Sequence, residues 1–162
     1  MSTEADVEAV LDCLRSGWLT MGPRIEAFEE ALAEWTGAAH AITVSNGDAA
    51  LFLALRAVGV EATDHVYACT QTSERAARRA GAVPMGDPTD RTRACVVALG
   101  SPTSKCTGDG VPIIEDATDW DDASPKLTGT AAAFSFAEGR PLAIGEGGMV
   151  ITDDDEVAAR VR

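Results

Sequence analysis

From residue 41 onward the chain is made of short apolar runs, each bounded by turn residues or by a helical pattern: 41–44, 66–69, 82–85, 94–99, 111–114, 131–136 and 149–152. Runs this short suit buried strands and are too brief for core helices. Helical spacing follows the first two, with Leu51, Phe52, Leu55 and Val58 over 49–58 and a shorter pattern over 74–80. A β-α-β-α order demands strands that mostly run parallel, with helices over the sheet faces. The chain is therefore expected to be an α/β protein: three layers, a seven-stranded, mostly parallel sheet and covering helices.

Two helices come before any strand. Val7, Val10, Leu11 and Leu14 recur at helical spacing after Thr3 and Asp6, a capping-box start, and Gly17 closes the run. After a loop over 17–23, Pro23 opens a second helix that places Ile25, Phe28, Leu32 and Trp35 on one face and stops at Gly37. Residues 154–162 read as a last, short helix. One domain over 1–162 is expected, with N-terminal helices in 1–40 and the sheet in 41–162.

The links at 86–90 and 101–105 are short, whereas parallel neighbours normally need a crossover of a dozen or more residues. Some covering helices should be missing, leaving bare apolar sheet that a second subunit would cover. An oligomer is expected.

Charge narrows the partners. The 26 acidic and 13 basic residues leave a formal net charge of −13, with no basic run. Such a surface repels phosphate backbones and anionic lipid, so nucleic acid and membranes are poor partners. Acidic residues stand at the N-terminus where a signal peptide carries bases, and no stretch is apolar for the roughly 18–20 residues a membrane span needs. A cytoplasmic location is expected. Cys13, Cys69, Cys95 and Cys106 form no CxxC pair and have only His40 and His65 as companions, so neither a metal site nor a disulfide framework is signalled; buried free thiols are expected.

Three stretches carry candidate chemistry. In the first, Ser45, Asn46, Gly47 and Asp48 lie between a strand and a helix start, where free N–H groups favour an anion. Asp48 competes with that reading, because a carboxylate there caps the helix and repels phosphate. The second, with Glu115, Asp116 and Asp119 and further acids up to Asp122, sets carboxylates at the end of a buried strand, where open α/β sheets place ligands. The third runs from Phe134, Ser135 and Phe136 through Arg140 to Gly145, Glu146, Gly147 and Gly148. Trp18 and Trp120 read as packing residues rather than a ligand platform.

In this order and spacing, the stretches 16–23, 44–51, 114–117, 131–136 and 145–150 resemble the DegT/DnrJ/EryC1/StrS family of pyridoxal-phosphate-dependent aminotransferases. The family mostly acts on nucleotide-linked keto-sugars and natural-product precursors. The resemblance implies a large domain with a seven-stranded sheet, the small C-terminal domain being absent, and dimerisation through this domain. It assigns Asp116 to the cofactor's pyridine nitrogen and Ser135, with Asn46 and Gly47, to its phosphate.

The lysine that forms the Schiff base falls on Arg140. A guanidinium stays protonated and has no free amine to attack an aldehyde. Asp48 stands where the family has Thr, Asp119 where it has Gln or His, and 69–73 offer no stacking aromatic. Lys105 and Lys126 are the chain's only lysines, both in turn-like segments. Arg140 is expected to fill the vacated pocket in ion pairs with Asp116, Asp48 or Asp119.

Three readings follow from the resemblance. The first is a non-transaminating accessory or interaction protein in sugar or natural-product biosynthesis, a homodimer or a heteromer with a full-length relative, without a cofactor. The second is an enzyme that needs no pyridoxal phosphate and uses Asp116, Asp119, Arg140 and Glu146 on a small molecule. The third holds pyridoxal or pyridoxamine phosphate non-covalently.

Overall fold

The computed structural model describes residues 3–98, 106, 110–119 and 127–162. Helix α1 (Glu4–Ser16) starts at Thr3, whose hydroxyl and Asp6 carboxylate complete the reciprocal capping box, and ends at Gly17 with φ +72°. Helix α2 (Pro23–Thr36) has Pro23 in its first turn and ends at Gly37 with φ +73°. Only a residue without Cβ adopts that left-handed conformation freely, so both glycines stop their helices.

The strands are β1 (His40–Val44), β2 (His65–Ala68), β3 (Val83–Met85), β4 (Thr92–Ala98), β5 (Ile113–Ala117), β6 (Ala131–Ser135) and β7 (Gly148–Thr152). They form one seven-stranded sheet in the order β1-β7-β6-β5-β4-β2-β3. Strand β7 runs antiparallel to both neighbours, and the remaining pairs are parallel. Helices α3 (Gly47–Ala57), α4 (Gln71–Arg79) and α5 (Asp155–Val161) complete the chain.

Alternation along β6 separates the two cores. Ala131 and Ala133 face a cluster with Ala50, Leu51, Ala54 and Leu55 of α3, together with Val157 and Val161 of α5. Ala132 and Phe134 face the other side, with Leu32, Met149, Ile151 and Phe136. The alanines let α3 approach the sheet closely. Burying Leu51 and Leu55 completely contributes roughly 1.5–3 kcal/mol each. On the opposite face, Phe28 of α2 meets Phe136 edge to face, with ring centroids 5.3 Å apart. The protein thus has three layers: α2, the sheet, and α3 with α4 and α5.

The link from β3 to β4 carries no helix, as expected, and the strand lengths explain how. Six residues, 86–91, span at most about 21 Å, enough to run back along the three-residue β3 and cross roughly 10 Å of sheet. The links at 99–105 and 120–126 lie outside the described residues, as do Lys105, Trp120, Asp122 and Lys126.

The expectation of a bare sheet needs correction among the described residues. Tyr67, Cys95 and Val97 are buried, with Cys106, Val111 and Ile113 packed against them. Apolar surface is exposed on α1 instead. None of its residues is buried, and Val10, Leu14, Trp18, Leu19 and Met21 are each more than half exposed. Trp18 folds over its own loop, its indole N–H donating to the Met21 carbonyl at 2.6 Å. The thiols depart from expectation too: only Cys95 is buried, Cys13 and Cys106 are half-buried and Cys69 is exposed, all four being free. Among the described residues no helix is long and apolar enough to cross a membrane.

Candidate functional site

Strand β5 extends through Ala117, further than its apolar run, so the acids lie within the strand rather than beyond it. Successive residues point to opposite faces. Glu115 is buried and accepts hydrogen bonds from the Thr128 backbone N–H and hydroxyl, at 3.0 and 2.6 Å. It is satisfied where it stands. Asp116 is 7% exposed. Its Oδ2 accepts from the Thr70 hydroxyl at 2.7 Å, and its Oδ1 accepts from the Thr118 hydroxyl at 2.6 Å and N–H at 3.2 Å. Neutral donors therefore hold this carboxylate.

The turn between β1 and α3 lies alongside. Asn46, not Asp48, caps α3: its side chain accepts from the Ala49 N–H at 2.8 Å. Asp48 sits one residue inside the helix and turns outward to α4. Arg75 donates to it through Nε at 2.9 Å and Nη2 at 2.6 Å, and Arg79 lies 3.7 Å away. The hydrogen bonds from Arg75 to Asp48 push the guanidinium pKa up further. The expectation of Asp48 as cap or as partner of Arg140 is thus corrected. An amide two positions earlier reaches the helix N–H groups, while the two arginines spaced i, i+4 along α4 draw the carboxylate away.

Two glycines seal this corner. A Cβ on Gly47 would stand 2.7 Å from the Ser135 Cβ, and one on Gly148 would stand 2.3 Å from the Asn46 carbonyl oxygen. The start of α3 therefore lies backbone to backbone against the start of β7 and against the Ser135 side chain at the end of β6. Around them, Ser45, Asn46, Asp48, Arg79, Ser135 and Glu146 line a polar cavity of about 390 Å³. The Ser135 hydroxyl is buried and accepts the Ala137 N–H at 3.4 Å.

Arg140 follows β6, and its guanidinium pairs with the Asp119 carboxylate just beyond β5. Of the three carboxylates expected to hold it, Asp119 alone does so; Asp116 is held by threonines and Asp48 by Arg75. The expected Asp116, Asp119, Arg140 and Glu146 cluster is therefore divided: Glu146 belongs to the cavity, and no ion pair among the described residues joins Arg140 to Asp116. No group of three or more His, Cys, Asp or Glu residues suited to a metal occurs among the described residues.

Thr70, Thr118, Arg75 and Arg79 escape the sequence reading. Thr70 and Ser73 form a capping box, which is a visible signal, but only the fold brings Thr70 to Asp116. Glu29 was missed as well: it is buried on α2, accepts the Thr43 N–H and hydroxyl at 2.7 and 2.8 Å, and pairs with Arg162.

A seven-stranded sheet with one antiparallel strand, and an aspartate at the carboxyl end of β5 facing the start of a helix, is the architecture of an aminotransferase-like α/β domain. The chain belongs to the DegT/DnrJ/EryC1/StrS aminotransferase family, whose profile matches residues 1–97 and 95–162. It is 35% identical over 191 aligned positions to the spore coat polysaccharide biosynthesis protein SpsC of Bacillus subtilis (strain 168), covering 97% of this chain and 49% of SpsC. An aminotransferase from Psychrobacter cryohalolentis superposes with a TM-score of 0.86 at 25% identity, over 99% of this chain and 50% of that one. DesV of S. venezuelae, solved in complex with a ketimine intermediate, gives 0.85 at 30% identity, over 96% and 51%. The chain thus spans about half the length of these relatives.

Proposed function

We propose that this protein is a family member that does not transaminate through a covalently held cofactor and serves as an interaction or accessory subunit in sugar or natural-product biosynthesis. The observation that carries the reading is the pairing of Arg140 with Asp119. At the position the family gives to its lysine stands a permanently charged group, already bonded, with no amine to offer an aldehyde. The described residues include no lysine.

Covalently held pyridoxal phosphate does not fit the residues present. Beyond the missing amine, Asp48 puts a carboxylate beside the helix start where the phosphate of the family's cofactor belongs, and repels it. Retention of Asp116 and Ser135 reads as inheritance of the scaffold.

The apolar face of α1 supports the accessory role. Val7, Val10, Leu11 and Leu14 on one face of α1, with Trp18, Leu19 and Met21 in the loop after it, are all exposed, and contiguous exposed apolar surface marks interaction sites. Oligomerisation, with itself or with a full-length relative, would cover it.

The test is an absorbance titration with pyridoxal phosphate and with pyridoxamine phosphate, then borohydride reduction and intact mass. An unchanged spectrum and mass are expected. A borohydride-stable adduct would return the chain to the working aminotransferases, and reversible binding without an adduct would favour the cofactor-holding reading.

A further inference from the structure

We propose that Cys95 and Cys106 form a dithiol site, oxidised by a low-molecular-weight disulfide of the glutathione type to an intramolecular cystine that ties the link after β4 to the sheet. The site does not depend on the reading above.

Strand register places the pair. Cys95 stands beside Tyr67 of β2 and Ile113 of β5. Asp116 pairs with Ala98, three residues further along β4, so its side chain leaves the opposite face of the sheet. The apolar cluster around Cys95 draws on strands and links and on no helix: Tyr67 and Val97, with Cys106, Val111 and Ile113 packed against them. Cys106 is thus part of the cover on this face, and its thiol shares a hydrogen bond with the Cys95 thiol. Cys95 is wholly buried and Cys106 half-buried, both free. A third thiol, Cys69, is engaged at the end of β4, where its Sγ accepts the Ala98 N–H at 3.1 Å.

The exchange balances with the named oxidant alone. Burial keeps the Cys95 proton in place, and Cys106 is the member of the pair that solvent reaches, so Cys106 reacts first. Its thiolate attacks one sulfur of glutathione disulfide. That S–S bond breaks, and one glutathione thiolate leaves and takes up the proton that Cys106 gave to water. Cys95 then attacks the Cys106 sulfur of the mixed disulfide, and its own proton goes to the departing second glutathione. A Cys95–Cys106 bond and two glutathione thiols remain, two electrons having passed from protein to oxidant. Contact in the folded state favours the closing step, because a partner already in place competes with free glutathione at high effective concentration.

The experiment equilibrates the whole reduced chain, folded and in urea, with graded ratios of oxidised to reduced glutathione at pH 8, then blocks the remaining thiols with N-ethylmaleimide in denaturant and maps tryptic masses. Trypsin cuts after Arg93, Lys105 and Lys126, so Cys95 and Cys106 fall in separate peptides, 94–105 and 106–126, that only a disulfide joins. The folded chain should yield that joined pair, about 2 Da lighter than the two free peptides together, and should recover both thiols in dithiothreitol. It should reach half-oxidation at a ratio at least about tenfold lower than the unfolded chain needs. Cys106→Ser should form no cystine, whereas Cys69→Ser and Cys13→Ser should retain it. Glutathione adducts without the joined pair overturn the proposal, as does a cystine that uses Cys69 or Cys13, or a folded chain that needs as much oxidant as the unfolded one. The wild-type peptide map decides the matter even if Cys106→Ser does not fold.

Discussion

The Thr70 hydroxyl donates to Asp116 Oδ2 at 2.7 Å across 46 residues of sequence, while its oxygen accepts the Ser73 N–H at 3.0 Å. One side chain thus both caps α4 and fixes the carboxylate at the end of β5. The same contact carries helix stability and site geometry.

Thr70→Val removes both functions while keeping the side chain's volume. The lost cap costs about 1 kcal/mol and the lost bond to a buried carboxylate about 1.5–3 kcal/mol, so urea unfolding should give a loss of about 2–4 kcal/mol. Thr70→Ser should restore most of it. A loss under about 1 kcal/mol for the valine variant would mean that the bond to Asp116 contributes nothing.

Arg140→Lys returns an amine to the place from which the family's lysine acts. With excess pyridoxal phosphate and borohydride, this variant should gain the mass of one cofactor and the wild type none. Equal labelling of both would place the reactive amine at Lys105 or Lys126 and leave Arg140 without the significance given to it here.

Gly47 and Gly148 hold the corner where α3 starts. A methyl group on Gly148 meets the Asn46 carbonyl oxygen at 2.3 Å, whereas one on Gly47 meets the Ser135 side chain at 2.7 Å. Side chains yield more easily than backbone. Gly148→Ala should therefore destabilise more than Gly47→Ala, with both near or above the ~1–3 kcal/mol typical of overpacking. The reverse order in urea midpoints would refute the contact.

Burial, together with a hydrogen bond involving Cys106, pushes the Cys95 thiol from its ordinary value near 9 up to about 12. Burial also raises Tyr67 above its usual value. Below pH 9 the folded and unfolded chains both keep the Cys95 proton. Between 9 and about 12 only the unfolded chain releases it, so unfolding gives up a proton and stability falls as pH rises. Thermal midpoints should decline across that window and less steeply in Cys95→Ala. Thiol titration at pH 8 should leave Cys95 unlabelled until denaturant is added.

The α1 face is tested by Val10→Glu with Leu14→Glu. Both side chains are more than half exposed, so unfolding free energy should change by no more than about 0.5 kcal/mol each. Sedimentation should shift from an oligomer to a monomer. A wild-type chain that already sediments as a monomer, alone and with a full-length relative, would remove the interaction role.

The strands, the ends of α1 and α2 and the family were legible in the sequence because they rest on local chemistry. Periodicity marks Leu51 and Leu55 as a helix face. Gly17 and Gly37 stop helices by their own backbone freedom, and motifs such as Phe134-Ser135-Phe136 and Gly145-Glu146-Gly147-Gly148 keep their spacing whatever surrounds them. The seven-stranded sheet follows from the same pattern. The fate of charged groups was less legible: four acids and Arg140 were expected to share one network, and the structure divides them.

By itself the sequence determined which atoms are available: an arginine and not a lysine at 140, a carboxylate at 48, a retained Asp116. Only the tertiary structure decided which of them meet. Ion pairs and charge-assisted hydrogen bonds act over a few ångströms, so a partner is chosen by which strand end or helix turn arrives first. Arg75 reaches Asp48 because α4 packs beside α3, and Thr70 reaches Asp116 because β2 and β5 flank β4. Arg140, on the loop after β6, finds the nearest carboxylate beyond the neighbouring β5, which is Asp119.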